Sequence, residues 1–367
     1  MSYITAIGKA NPSIRISQSD LADFMIQAMQ PDAATARILR TVFKASGIDY
    51  RHTVIEDYAK KKDYTFFPNT PNIEPFPSTE QRMKIFYEHA LPLSVAAVKN
   101  MVVNNPSYDR KSITHLIVVC CTGMYAPGLD IELVEQLELP TTVQRTSITF
   151  MGCYAAFNAL KVADAFCAKD ENAKVLIVCT ELCSLHFQKS ISEDNLLANA
   201  LFADGSAAVL VEAQSDTKVK LKLEAFYNDL AREGANDMAW HIGNVGFEMK
   251  LSTYVPDIIK KGIGELTDKL LRKIQMRIED IRYYAIHPGG KKILTAIEEA
   301  LLIGPGQNFA AYHTLRNYGN MSSPTVLFVL REIFDKLQQD DHDKHILSFA
   351  FGPGLTLESM LLQIKMR

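Results

Sequence analysis

The chain is a succession of short continuous apolar runs and longer segments whose apolar residues recur with helical spacing. The continuous runs predict strands that are covered on both faces, because a half-exposed strand would alternate apolar and polar residues. They are HLIVVCCTG, KVLIVCTEL, GSAAVLVEA, RYYAIHP and HILSFAFGPG. The helically spaced segments predict helices at Glu80–Val103, Tyr154–Phe166, Pro256–Arg277 and Met321–Gln339. This succession predicts a mixed α/β fold with buried sheets.

The pattern divides into two sets of elements. Residues 1–213 alternate strand and helix and end with the buried strand GSAAVLVEA. Residues 214–367 begin with an amphipathic strand in KVKLKLEAFYNDL and then alternate in a similar way. We therefore predict two halves of similar architecture, although no sequence identity between them is visible.

Composition narrows the class of protein. Of the 367 residues, 47% are hydrophobic and 22% are charged, which is ordinary for a globular protein with a full core. A net charge of −3 gives no reason to expect a nucleic acid or an anionic membrane surface as a partner. No apolar run reaches membrane-spanning length, and Met1–Pro12 lacks the layout of a secretory leader, so we expect a cytoplasmic protein.

The six cysteines fit that compartment, because nothing indicates a secreted disulfide framework. Cys179, Cys183 and His186 lie close together in the sequence, which raises the possibility of a zinc site. They follow a buried strand without a second pair of ligands, so we predict no metal.

Cys153 has the setting of a nucleophile. Alternating residues from Thr146 to Phe150 predict a strand, Gly152 and Cys153 form a bend, and an alanine-rich helix follows. The free N–H groups and the dipole at a helix N-terminus favour a thiolate. The alternative is a packing cysteine, since unpaired cysteines are among the most buried residues.

Two later segments favour the nucleophile. His287 ends an apolar strand before a Pro-Gly-Gly turn, and Asn320 lies in a Gly-Asn turn before a long apolar helix. Together with Cys153 they predict a site with a nucleophile, a proton partner and a donor to a developing oxyanion.

Five blocks of sequence, GCYAAFNALKVA, ALFADGSAAVLV, AIHPGG, YGNMSSPTVLFVL and FAFGPGLTLE, resemble the signature blocks of the chalcone/stilbene synthase family, the type III polyketide synthases. ELCSLHFQ and HPGGKK resemble bacterial members more than plant ones. The resemblance implies a homodimer with a thiolase-type, five-layered αβαβα fold, in which residues 1–213 carry Cys153 and residues 214–367 carry His287 and Asn320. It also implies decarboxylative Claisen condensation of malonyl-CoA units onto an acyl starter bound to Cys153, followed by cyclisation. The substrates are CoA thioesters, and no metal or organic cofactor is implied.

The resemblance also implies a substrate pocket. Phe202 matches one of the family's two gatekeeper phenylalanines, and Met249 stands at the position of the other. Ser322 is retained, and Gly352, Pro353 and Gly354 are expected to shape the cavity. The residues that replace smaller Thr or Gly residues of chalcone synthases are Cys121, Cys183, His186 and Trp240. The basic residues that lie where the family contacts CoA are Lys44, Arg51 and Lys292.

The departures from plant enzymes leave the product open. The segment CCTGMYAPG, which contains Cys121, resembles tetrahydroxynaphthalene synthases, whose starter is malonyl-CoA. ELCSLHFQ and the MAW…GF block resemble alkylpyrone and alkylresorcinol synthases, which take fatty acyl starters through a tunnel, and we favour this second interpretation. A ketoacyl-ACP synthase III-like enzyme, which condenses once on a carrier protein, is a further alternative that YGNMSSPT and FGPGLT disfavour.

Overall fold

The computed structural model describes residues 1–103, 105 and 108–367. The strands in these residues are β1 (Tyr3–Ala10), β2 (Ile14–Ser17), β3 (Tyr50–Thr53), β4 (His115–Cys120), β5 (Gln144–Thr149), β6 (Lys174–Leu182), β7 (Asp204–Glu212), β8 (Val219–Leu230), β9 (Met238–Gly243), β10 (Gly246–Leu251), β11 (Ile281–Ile286), β12 (His345–Gly352) and β13 (Thr356–Met366). The α-helices are α1 (Gln18–Met29), α2 (Ala33–Ala45), α3 (Thr79–Val103), α4 (Leu129–Gln136), α5 (Ala155–Lys169), α6 (Glu193–Leu201), α7 (Val255–Arg272), α8 (Lys291–Leu301), α9 (Phe309–Tyr318) and α10 (Thr325–Phe334).

Nine of these strands form one sheet in the order β11-β12-β13-β8-β1-β7-β6-β4-β5. Strand β4 is parallel to β5 and β6, and β11 is parallel to β12, whereas the other pairs are antiparallel. The two sequence halves join where Tyr3 and Ile4 of β1 pair with Lys222 and Leu221 of β8. The first half therefore supplies one side of the sheet, and the second half supplies the other.

Helices pack between the part of the sheet that the first half supplies and the part that the second half supplies. Other helices cover the outer faces of both parts. Helix α5 contacts β4 to β7 and also β13, and α10 contacts β1 and β7 and also β11. Helix α3 covers β1, β6 and β7, whereas α7 packs against β8 and β13. The result is a layered arrangement of helices and strands, and the prediction of a mixed α/β fold is confirmed.

The burial of the central elements follows from their composition. All residues of β4 and β7 are buried, as the continuous apolar runs predict. In α5, Ala155, Ala159 and Ala163 have no exposed surface. Because alanine adds so little volume, α5 can approach strands on both sides of it.

Some boundaries differ from the sequence-based prediction. A short 3₁₀ turn at Gly152–Tyr154 precedes α5, so the α-helix begins just after the bend. Helix α10 begins at Thr325 rather than at Met321, because Ser322 has a positive φ of 59° and Pro324 is its N-cap. The hairpin β9–β10 was not predicted, although it carries Trp240 and Met249.

Candidate active site

The turn that carries Cys153 has a strained backbone and close neighbours. Strand β5 ends at Thr149, and both Phe150 (φ 57°) and Gly152 (φ 73°) have left-handed conformations. A Cβ atom at Gly152 would lie only 2.4 Å from Cδ of Pro353, so this position requires glycine for space as well as for its dihedral angle. The turn leaves Cys153 buried at the head of α5, with 6% of its surface exposed.

The structure brings the three predicted reactive residues into one buried cavity. The Sγ atom of Cys153 lies 3.9 Å from Oδ1 and 4.0 Å from Nδ2 of Asn320. His287, which follows β11, lines the same cavity and is only 1% exposed. Neither of its ring nitrogens has a hydrogen-bond partner within the part of the chain that the structure describes.

Backbone contacts fix the orientation of the Asn320 amide. Oδ1 accepts a hydrogen bond from the backbone N–H of Ser322 at 2.8 Å, which identifies it as the oxygen. Nδ2 lies 3.4 Å from the carbonyl oxygen of Gly289, to which it donates. Nδ2 also donates towards Sγ of Cys153, so the amide presents a donor at the nucleophile.

Burial controls the protonation of Cys153 and His287. It raises the pKa of the Cys153 thiol to about 12, a shift that a hydrogen bond from Ser322 reduces and that the charge of Glu181 increases. Burial also lowers the pKa of His287 to about 3. Neutral forms of the Cys153 thiol and the His287 imidazole are therefore favoured before substrate binds, because the loss of hydration disfavours each charge and no hydrogen bond joins the two side chains.

Glu181 belongs to the site but was missed from the sequence. This carboxylate is fully buried and accepts hydrogen bonds from the backbone N–H of Cys121 at 2.9 Å, from Thr122 Oγ1 at 2.8 Å and from Ser323 Oγ at 2.6 Å. Burial raises its pKa to about 7. The sequence does carry a signal for this residue, because Glu181 lies near the end of the apolar run KVLIVCTEL. A charged residue in a buried strand requires hydrogen-bond or ionic partners, which indicates a polar site nearby.

Most of the predicted pocket residues line the same cavity, whose volume is about 30 Å³. Those that join the reactive residues there are Cys121, Cys183, Phe202, Trp240, Met249, Ser322 and Pro353. His186 instead lines an adjacent cavity of about 40 Å³.

The two glycines of the last block lie outside the lining of both cavities. Gly352 packs against the ring of Tyr154, because a Cβ atom there would lie 2.4 Å from the Tyr154 Cδ1 atom. Gly354 has a positive φ of 76° in the turn between β12 and β13. Gly352 therefore shapes the chain beside the nucleophile turn, whereas Gly354 permits the turn between the two strands.

The basic residues predicted to contact CoA occupy three different environments. Lys292 lines an open cleft of about 280 Å³, and Leu251, Gly289 and Ile293 line both this cleft and the catalytic cavity. Lys44 is exposed on α2 beside a separate cleft.

Arg51 is only 3% exposed. It donates to Gln18 Oε1 at 3.0 Å and to the carbonyl oxygen of Phe202 at 2.5 Å, and burial lowers its pKa to about 9. Arg51 is therefore buried rather than on the surface, and it lines the same cavity of about 40 Å³ as His186.

Two further properties concern the described residues alone. They contain no group of three His, Cys, Asp or Glu side chains placed to hold a metal ion. None of their helices combines the length and the apolar character needed to cross a membrane.

Comparison with known proteins identifies the family of the chain. Residues 1–215 match the family model of the N-terminal domain of chalcone and stilbene synthases, and residues 222–365 match that of the C-terminal domain. The chain is 31% identical to the alpha-pyrone synthesis polyketide synthase-like Pks18 of Mycobacterium tuberculosis, over 99% of this chain and 91% of that protein. It is 30% identical to probable polyketide synthase 1 of Dictyostelium discoideum, over 99% of this chain but 11% of that much longer protein.

Solved structures show the same fold. The C-terminal type III polyketide synthase domain of Steely1, a type I/III hybrid from Dictyostelium, superposes with a TM-score of 0.90 at 29% identity and 99% coverage of both chains. PKS-I from the brown alga Ectocarpus siliculosus superposes with a TM-score of 0.91 at 27% identity, covering 99% of this chain and 98% of that one. The chain therefore belongs to the chalcone and stilbene synthase family and is a type III polyketide synthase of the bacterial type.

Proposed function

We propose that the chain condenses malonyl-CoA units onto an acyl starter held on Cys153 and cyclises the product to an alkylpyrone or an alkylresorcinol. The observation that carries this proposal is the meeting of a thiol, an unpartnered imidazole and an oriented amide in one buried cavity. The mycobacterial relative, whose name refers to alpha-pyrone synthesis, supports a pyrone product.

The first step loads the starter. Cys153 Sγ attacks the carbonyl carbon of an acyl-CoA while His287 takes the thiol proton, and the CoA sulfur leaves with that proton as the new thioester forms. A buried polar atom without a partner costs about 1–3 kcal/mol, so the two unpartnered nitrogens of His287 are explained by a group that arrives with the substrate.

The second step forms the carbon–carbon bond. Malonyl-CoA loses CO2, and the enolate oxygen that develops accepts hydrogen bonds from Asn320 Nδ2 and from His287. The enolate carbon attacks the acyl thioester, and Cys153 leaves as a thiolate, which takes up a proton from water to return to the thiol. Decarboxylation itself supplies the carbanion, so the chemistry needs neither a carboxylate base nor an added cofactor.

A second candidate is a tetrahydroxynaphthalene-type reaction that starts from malonyl-CoA alone. The small catalytic cavity, about 30 Å³, favours it because little room is left for a long starter. The residue that suggested this second candidate is Cys121. Its Sγ accepts a hydrogen bond from the backbone N–H of Gly152, the neighbour of Cys153, at 3.1 Å.

We also propose that two copies of the chain form a homodimer. Strand β5 ends the nine-stranded sheet, and four of its six residues are exposed. An unprotected edge strand can pair with the same strand of another copy. Sedimentation equilibrium would show a dimer, and a proline within this edge strand, Thr146→Pro, should weaken it. A monomeric wild-type protein at micromolar concentration would contradict the proposal.

The test is mass spectrometry of the products made from malonyl-CoA alone and with acyl-CoA starters of increasing length. Cys153→Ala should abolish covalent acyl loading and condensation, whereas Cys167→Ala, which removes a buried thiol near the other end of α5, should keep both. An unchanged product profile from Cys153→Ala would refute the proposal. Product from malonyl-CoA alone would select the second candidate, and dependence on a carrier protein would indicate a ketoacyl-ACP synthase III-like enzyme.

A further inference from the structure

Arg51 is a buried arginine whose contacts reach two segments of the catalytic cavity. It lies on β3, which pairs only with β2 in a separate two-stranded sheet. Within the described residues, its Nη2 atom has no hydrogen-bond partner. Burial lowers the pKa of Arg51 to about 9, so the guanidinium is still charged at neutral pH. A buried charge and a buried unpartnered nitrogen both cost stability, so a purely stabilising role is a poor explanation of this side chain.

The guanidinium is held at the C-terminal end of α6, beside Phe202. Its Nη1 donates to the carbonyl oxygen of Phe202 at 2.5 Å, and its Nε donates to Gln18 Oε1 at 3.0 Å. Gln18 in turn donates through Nε2 to the carbonyl oxygen of Ala200 at 2.7 Å. The last carbonyl groups of a helix have no partner within that helix. Gln18 and Arg51 together therefore supply donors to the end of α6 and fix its direction.

The second segment that Arg51 contacts is the turn before Asn320. Gly319 has a positive φ of 70°. A Cβ atom on this glycine would lie 2.9 Å from Cγ and 3.0 Å from Cδ of Arg51. The aliphatic stem of Arg51 therefore packs directly against the backbone that carries the Asn320 amide.

The two segments are also joined to each other by an isolated β-bridge between Phe202 and Asn320. The backbone N–H of Asn320 donates to the carbonyl oxygen of Leu201 at 2.9 Å, and the N–H of Ala203 donates to the carbonyl oxygen of Asn320 at 2.9 Å. The carbonyl oxygen of Phe202 takes no part in these hydrogen bonds and accepts from Arg51 instead. Arg51 thus holds one side of the bridge by a hydrogen bond and supports the other side by packing.

We propose that Arg51 is a positioning residue for the step that forms the carbon–carbon bond. It fixes the bridge between Phe202 and Asn320 so that the Asn320 amide meets the enolate oxygen of the decarboxylated malonyl unit. The inference rests on the proposed function and separates its two steps. Loading of the starter uses Cys153 and His287, whereas the enolate depends on the donor that Asn320 supplies.

The test measures both steps in the wild-type protein and in Arg51→Met. Loading is the rate of covalent acylation of Cys153 by hexanoyl-CoA, followed by mass spectrometry of the intact protein. Enolate formation is the rate of CO2 release from radiolabelled malonyl-CoA. Because Arg51→Met leaves the Phe202 carbonyl oxygen without its donor, CO2 release should fall about tenfold while loading changes less than about twofold. Equal losses in both rates would indicate a structural role only and would overturn the inference, as would unchanged CO2 release.

A double-mutant cycle tests whether Arg51 acts through Asn320. Asn320→Ala removes the amide, so its CO2 release should fall about a hundredfold. Adding Arg51→Met to this variant should cause no further loss, because the group that Arg51 positions is already absent. A further loss of about tenfold in the double variant would show that Arg51 acts by another route and would overturn the inference.

Arg15→Met is the matched control, because Arg15 is an exposed arginine on β2 of the same small sheet. It should leave both rates unchanged. Should Arg51→Met not fold, Gln18→Met removes the acceptor that orients Nε of Arg51 and should show the same selective loss of CO2 release. Unchanged CO2 release in Gln18→Met would then overturn the inference. A wild-type protein that neither loads acyl groups nor releases CO2 would instead refute the proposed function.

Discussion

Burial of the neutral His287 ring should make the folded protein sensitive to acid. A histidine in an unfolded chain has a pKa of about 6.5, whereas burial lowers the pKa of His287 to about 3 in the folded protein. Above about pH 6.5 both states carry a neutral ring and the contribution to stability is complete. As the pH falls below this value, the unfolded chain binds a proton that the folded protein excludes, so stability is lost progressively until about pH 3.

The size of this effect follows from the same two pKa values. Each pH unit below the unfolded pKa costs about 1.4 kcal/mol, so His287 alone should remove about 3 kcal/mol of stability between about pH 7.5 and about pH 4.5. A typical domain has only about 5–15 kcal/mol of stability. The loss should therefore be readily measurable.

Urea unfolding of wild-type protein and of His287→Gln at these two pH values measures the effect. The wild-type protein should lose about 3 kcal/mol more than the variant on acidification. Burial also raises the pKa of Glu181 to about 7 and that of Asp204 to about 6. Comparing the two proteins cancels these contributions, which both share. His241→Gln, a change at an exposed ring, should behave like wild type. A wild-type protein that lost no more stability than His287→Gln would refute the reasoning and would mean that the folded protein accepts a proton on His287.

Two further predictions concern the surroundings of the nucleophile. The variant Glu181→Gln resembles the protonated form of Glu181. Because burial raises the pKa of Glu181 from 4.5 to about 7, the unfolding free energy of the wild-type protein should fall relative to that of the variant by roughly 2–3 kcal/mol between about pH 5 and about pH 8. Parallel changes of the two proteins in urea unfolding would contradict this prediction. Gly352→Ala places a methyl group 2.4 Å from the Tyr154 ring, so thermal unfolding should show a loss of about 1–3 kcal/mol together with reduced acyl loading of Cys153. The matched change Gly264→Ala, in α7 where a Cβ atom has no neighbour within 4 Å, should be neutral or stabilising, and equal losses from both would argue against the clash.

The sequence predicted the parts of the site that depend on strand ends and turns. Cys153, His287 and Asn320 each follow or precede a buried element, and such ends meet when strands of one sheet are packed around shared helices. Ser322, Phe202 and Trp240 entered through the resemblance and do line the cavity. These positions could be predicted from the sequence because chain direction and hydrophobic pattern determine where an element ends.

The hairpin β9–β10 and the orientation of Arg51 could not be predicted from the sequence in the same way. Residues 238–251 mix polar, glycine and apolar positions, so their alternation is weak, and their pairing depends on contacts with Thr79, His186 and Gln188, which are distant in sequence. Arg51 appears as a surface cation in FKASGIDYRH. Only the folded chain shows that the Gln18 side chain and the Phe202 carbonyl oxygen accept its hydrogen bonds.

The charge state of the nucleophile depends on a balance that residue types do not encode. A helix N-terminus stabilises an anion by about 0.3–1 kcal/mol, and by up to about 2 kcal/mol in favourable geometry. Burial and its neighbours move the pKa of Cys153 from 9.0 to about 12, which corresponds to about 4 kcal/mol in favour of the thiol. The stabilisation of a thiolate by the helix N-terminus is smaller than the cost of burying its charge, so the thiol keeps its proton until a substrate arrives. An unpartnered imidazole in the same cavity is suited to take that proton as the thioester carbonyl becomes an oxyanion, because the new positive charge then forms next to a new negative one. Protonation of His287 and attack by Cys153 are therefore expected to be one coupled event, and the cavity remains uncharged between turnovers.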